Sequence, residues 1–190
     1  MQNIKRILLL VTSAISTFFT VSAYEYITQD KIVICGGESG LVFVVKQKYD
    51  YTVYPGKNYK DTLSCIGKSV PFYKREIVLE SNKASYKKQL EERYNVKITN
   101  DKKEGTKTEK ISNDVYKFTN VNNETVLLFT KDFKMSRYSL NIIKTLKPNL
   151  VYIKDSDDLA QKEFMQKYQN SSLGLKVEVL QIGTVKEVLL

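Results

Sequence analysis

Short apolar runs split by glycines and polar turns organise most of this chain. Residues 32–34 (Ile-Val-Ile) and 41–45 (Leu-Val-Phe-Val-Val) flank Gly36-Gly37-Glu38-Ser39-Gly40. β-Branched runs divided by glycines predict strand, turn, strand. Residues 49–54 continue in alternation until Pro55-Gly56. A short helix is predicted over 59–67, with Leu63 and Ile66 on one face, and a strand over 76–79. Residues 85–94 lack glycine and proline and set Tyr86 and Leu90 four apart, which predicts a helix.

Residues 100–110 (NDKKEGTKTEK) are polar and predict an exposed loop or hairpin tip. Strands are expected over 115–118 and 125–130, with Asn122-Asn123 as turn chemistry between them. A helix over 136–146 carries Leu140, Ile143 and Leu146 at core spacing, with Pro148 just beyond. Residues 150–153 read as a buried strand. Asp155, Asp157 and Asp158 supply a cap and first-turn acids for a helix over 157–168, closed by Gly174. Two strands, 175–180 and 184–188, follow with Gly183 between them. A β-hairpin start followed by βα units predicts an α/β arrangement of stacked layers rather than an all-β barrel.

The N-terminus adds a different kind of segment. Lys5 and Arg6 precede a stretch from Ile7 that holds no charge before Tyr24, and Val21-Ser22-Ala23 ends it. This is the three-part pattern of a secretory signal over 1–23. An uncleaved anchor formed by 7–23 is the competing reading, although the stretch is slightly short for a span and diluted by Ser and Thr. The expectation is an exported protein, secreted, periplasmic or at the cell surface, with 24–190 as a single domain. Removing Lys5 and Arg6 from 30 basic residues against 21 acidic leaves a balance of +7. A positive surface favours phosphate-rich or anionic-lipid partners, although richness in Lys, Asn, Ile and Tyr also follows from compositional drift. Export makes a Cys35–Cys65 disulfide possible, two buried free thiols being the other reading.

Two longer stretches carry a resemblance. IVICGGESGLVFVV is similar to a strand-turn-strand reading D-V-G-Q-G-D-A at its centre, with Gly37 on the shared glycine, Glu38 for the glutamine, and Cys35 and Gly40 for the aspartates. KDTLSCIGKSVPFYKREI is similar to V-L-x-x-L-G-x-x-x-P-F-x-x-R-x-I, with Leu63, Gly67, Pro71, Phe72, Arg75 and Ile77 in place. ERYNVK resembles the end of the following helix, NNETVLLFTKD a compressed N-N-x-S stretch with an L-F-T-G-D turn, and LKPNLVYI the strand after the final helix pair. In this order the motifs resemble the metallo-β-lactamase-like domain of the DNA-uptake protein ComEC. The resemblance covers about two-thirds of the mature chain and implies a trimmed, layered sheet-and-helix domain with a role in DNA handling.

The departures bear on chemistry. The family's metal loop, H-x-H-x-D-H, should follow the strand ending at Leu79, where this chain reads ESNKASY. There is no histidine anywhere. Zinc needs nitrogen, sulfur or carboxylate ligands converging on one point, and that loop offers only Glu80. Asp132 is the single matching ligand position elsewhere, and Lys131 replaces the glycine beside it. Without metal, nothing lowers the pKa of water toward neutrality. The expectation is a non-catalytic relative with no cofactor.

Other chemistry is weaker. Asp155, Asp157 and Asp158 do not fit a calcium loop. Gly36 to Gly40 leads into a strand, and Gly67-Lys68-Ser69 lacks the upstream glycine of a phosphate-binding loop. A nucleophile would have only lysine as its base. KQKYDYTVYPGKNYK interleaves aromatics and cations, as single-strand binding requires. Its candidate contacts are Lys46, Lys48, Tyr49, Tyr51, Lys57, Tyr59 and Lys60, weighed against alternating strand residues with lysine outermost. The expected partner is single-stranded DNA or another anionic surface. The alternative is an exported basic interaction module that binds a protein, a membrane protein among them, or anionic lipid.

Overall fold

The computed structural model describes residues 29–80, 85–98, 108–131, 136–155, 163 and 175–190. The signal segment 1–23, Asp132 and, apart from residue 163, the helix expected over 157–168 lie outside the described residues. Among those described, no helix is long and apolar enough to cross a membrane.

Strands β1 (Lys31–Gly37), β2 (Gly40–Gln47) and β3 (Asp50–Tyr54) form an antiparallel meander. Helix α1 (Tyr59–Ser69) then crosses to β4 (Glu76–Leu79), which pairs parallel to β3. Helix α2 (Lys87–Glu91) crosses in turn to β5 (Asn95–Ile98), parallel to β4. Strands β6 (Thr108–Ser112), β7 (Val115–Thr119) and β8 (Thr125–Phe129) make a second antiparallel meander. Helix α3 (Arg137–Leu146) connects β8 to a parallel β9 (Leu150–Lys154), and β10 (Lys176–Leu180) lies parallel to β9. Strand β11 (Val185–Leu189) returns to the first sheet beside β1. The sheets have the orders β11-β1-β2-β3-β4-β5 and β10-β9-β8-β7-β6. Mixed α/β layering is therefore present, with parallel neighbours wherever a described helix makes the crossover that parallel pairing demands.

Three apolar clusters define the layers. Ile32, Ile34, Leu41, Phe43 and Val45 of the first sheet meet Tyr116, Phe118, Val126, Leu128 and Tyr152 of the second. The opposite face of the first sheet, with Val33, Val42, Val44 and Leu79, packs on Cys65 and Ile66 of α1 and Leu90 of α2. The outer face of the second sheet, with Leu127, Val151 and Ile153, packs on Ile142 and Ile143 of α3. The order is helix, sheet, sheet, helix. Strand β2 is buried on both faces, which is why its sequence is a continuous apolar run.

Caps fix the helix starts. The Asn58 side chain accepts from Lys60 N at 2.9 Å, and Ser136 and Ser139 form a reciprocal capping box.

Three expectations are corrected. The helix expected over 85–94 is confined to Lys87–Glu91, because the Tyr86 hydroxyl is held by Thr62 and Gly56 and its side chain gives no cap bond to the helix. Residues 95–97, expected to end that helix, belong to β5, where Val96 and Ile98 alternate with Asn95 and Lys97 alongside β4. In addition, 108–110, expected in a loop or hairpin tip, open β6.

Candidate binding cleft

A cleft of about 390 Å³ opens at one end of the two sheets. It gathers the β1–β2 turn at Ser39, the end of β3 at Tyr54 to Lys57, Glu80 beyond β4, the β6–β7 region at Lys110 and Asp114, and Lys131 beyond β8. These positions converge because the turns of one sheet are tied to strand ends of the other. Leu41 N of the first sheet donates to Thr130 O of the second at 2.7 Å, and within the second sheet Thr130 N donates to Asp114 O at 2.9 Å.

Glycines make that approach possible. Gly40 has φ +141°, and a Cβ there would stand 2.2 Å from the Thr130 carbonyl oxygen. A Cβ on Gly37 would stand 2.6 Å from the Asp61 carboxyl group, which accepts from both the amide and the hydroxyl of Ser39 at 3.2 Å. The turn is thus pinned to the first turn of α1. Tyr86 closes another wall, its hydroxyl 2.7 Å from Thr62 and donating to the Gly56 carbonyl.

Two lysine–carboxylate pairs occupy the cleft. Lys110 Nζ lies 2.9 Å from Glu80 Oε1, and Lys131 Nζ lies 2.6 Å from Asp114 Oδ1. Lys110 also stands 5.6 Å from the centre of the Tyr116 ring. Tyr54 and Tyr116 line the floor, their rings 5.2 Å apart and edge-on. Burial first, and the Glu80 carboxylate second, push both phenols well above the ordinary tyrosine value. At neutral pH they are hydrogen-bond donors and not bases.

These residues do not fit zinc. A zinc site needs three or four donors free to converge on one ion. Glu80 and Asp114 are each engaged by an ammonium group. Among the described residues, no group of three His, Cys, Asp or Glu could hold a metal ion. Lys131, at the position of the resembled glycine, brings one of those ammonium groups into the cleft.

The interleaved Lys/Tyr stretch is not one surface. Lys46 and Tyr51 are buried, so neither can stack on or track a nucleic-acid strand. Lys46 Nζ donates to Gln29 O at 3.1 Å, and Tyr51 packs in the cluster beneath α1 and α2. Tyr59 is half-buried, its ring 5.7 Å from that of Tyr86. Lys48 and Tyr49 are exposed at the β2–β3 turn, while Lys57 and Lys60 are exposed at the other end of β3. Five strand residues at roughly 3.3 Å each put about 16 Å between the two ends. Lys57 is the candidate contact that lines the cleft. Lys110 and Lys131 join it there from distant sequence; Lys110 lies in no local pattern that would single it out, and Lys131 stands out only as the replacement of the resembled glycine.

Cys35 and Cys65 are bonded, with 5.7 Å between their Cα atoms, and join β1 to α1. No family model, no curated protein and no solved structure matches this chain.

Proposed function

We propose that the chain is an exported, non-catalytic binding domain on a trimmed metallo-β-lactamase-like frame, and that its cleft serves in handling single-stranded DNA at the cell surface. The observation that carries the binding reading is the charge arrangement of the cleft. Both carboxylates are matched by lysines, and Lys57 adds a further cation. A phosphate entering there meets cations whose present partners it can replace, whereas a hydrolytic water would find no imidazole and, among the described residues, no converging ligand set. The helix–sheet–sheet–helix layering and the parallel crossovers support the frame. The DNA component rests on the resemblance to the ComEC domain and on the positive balance of the chain.

The test is anisotropy of a labelled single-stranded oligonucleotide with the full chain at about 50 and 200 mM salt. Three phosphates neutralised, at a slope near −0.7 per contact, would weaken binding about twentyfold over that range. Lys57→Glu with Lys131→Ala should abolish it. No binding at the lower salt sinks the DNA reading.

The second reading is a basic interaction module for a protein or anionic lipid. The separation of Lys48 and Tyr49 from Lys57 and Lys60 favours it, because a stacking platform for bases needs its aromatics and cations on one face.

A further inference from the structure

The loop between α1 and β4 presents an unusual tip. Phe72 is 92% exposed and Tyr73 66% exposed. Their rings are 5.6 Å apart and edge-on to one another. Neither residue belongs to any of the three apolar clusters. Lys74 and Arg75 follow directly, and Lys68 lies in the last turn of α1, which ends at Ser69. No acidic residue occurs between Asp61 and Glu76. The Lys68 ammonium donates to Gly183 O at 3.1 Å, which brings the β10–β11 turn alongside. That turn adds Ile182, 63% exposed. Arg75 donates to the Arg93 carbonyl at 3.2 Å, which holds the base of the loop against the segment after α2.

We infer that this tip, Phe72 and Tyr73 with Lys68, Lys74 and Arg75, is a docking point for an anionic lipid surface. Two features select a bilayer over a protein face. The apolar part is two neighbouring, largely exposed rings and not a broad patch with a polar rim; tyrosine settles at headgroup depth and phenylalanine enters the acyl boundary below it. Lys74 and Arg75 adjoin the aromatic pair in the chain, and cations flanking an apolar tip are what anionic headgroups attract. The inference does not depend on what occupies the cleft, since none of these residues lines it.

The chain contains no tryptophan, so Phe72→Trp installs a single indole at the tip. The full-length variant is mixed with phosphatidylglycerol vesicles or with phosphatidylcholine vesicles and excited selectively at the indole. The expected result is a blue shift, with quenching by brominated acyl chains, on the anionic vesicles and little on the neutral ones. Tyr138→Trp, exposed on α3, should show neither, so attachment by residues 7–23 alone cannot mimic the signal. Adding Lys74→Glu and Arg75→Glu to the indole variant should raise the lipid needed for half the shift by at least about tenfold. Tyr73→Trp provides a second reporter if the first variant folds poorly. Unshifted emission at both positions on anionic vesicles overturns the inference, as does an equal shift on neutral lipid. A shift produced by envelope proteins but not by lipid assigns the tip to a protein partner and overturns it too.

Discussion

Removing the Cys35–Cys65 bridge should destabilise the domain more than any single surface change. The perturbation is the double variant Cys35→Ala/Cys65→Ala. The bond closes a loop of sequence separation 30. In the chain-entropy model, a loop of that size lowers the entropy of the unfolded chain by about 12 cal/mol/K, or about 3.6 kcal/mol at 25 °C. Both sulfurs lie in the cluster beneath α1, so a small packing loss adds to this. For a domain of this size, 1 kcal/mol corresponds to about 2–4 °C, so the thermal midpoint should fall by roughly 7–14 °C. Urea unfolding of the oxidised protein and of the variant measures the difference. The variant's m-value should rise, because an unbridged chain exposes more surface on unfolding. A free-thiol count on denatured, unreduced protein supplies the independent check. A stability difference below about 1 kcal/mol, or two free thiols in protein folded under oxidising conditions, would refute the reasoning.

Two further outcomes follow from the same structure. Gly40→Ala should cost at least about 2 kcal/mol in chemical denaturation, because a Cβ meets the Thr130 carbonyl and the backbone sits at φ +141°. Glu178 bears on acid stability: burial alone would raise its carboxyl, but hydrogen bonds and charge from Lys176 and Lys186 outweigh this and hold it below the ordinary 4.5. That contribution is fully present above about pH 4.5 and is lost as pH falls through the lower folded value. Glu178→Gln should therefore reduce stability at neutral pH by no more than about 1 kcal/mol, solvent having access to the pair, and should flatten the acid limb of the stability profile.

Much of the layering was legible because burial leaves a signature in local sequence. The β1–β2 hairpin, β8 and β9 stand out as apolar runs, and α3 shows part of its core face: Ile143 is buried as expected and Leu140 and Leu146 pack against the same cluster half-buried, whereas the buried Ser139 and Ile142 were missed. Strand β5 did not, since four residues with two apolar side chains carry little signal beside a helix-compatible neighbour. The burial of Tyr51 was open to inference from its two-residue spacing to Val53, which places both on one face. Lys46 was harder, because a lysine after an apolar run reads as the run's exposed end. The cleft as a convergence of residues was not legible, although Lys57, Glu80 and Lys131 each drew notice separately. Glu80 pairs with Lys110 across the two sheets, and Asp114 pairs with Lys131 at neighbouring strand ends of the second sheet; neither contact is encoded by a local pattern. The departure of Lys131 from the resembled glycine was the one available hint of either pairing.

Strand β11 pairs with β1, Lys31 standing opposite Leu189, and Val188 and Leu190 fill the cluster between the sheets. A chain emerging N-terminus first, from a ribosome or a translocation pore, therefore cannot pair both edges of β1 until β11, far along the sequence, is out. Throughout that interval β1 offers an open edge on one side, while Cys35 and Cys65 are already free to find each other. Covalent closure of β1 on α1 can thus precede completion of the sheet, and the interval before β11 arrives is when a chaperone or a second nascent chain would compete for the same edge.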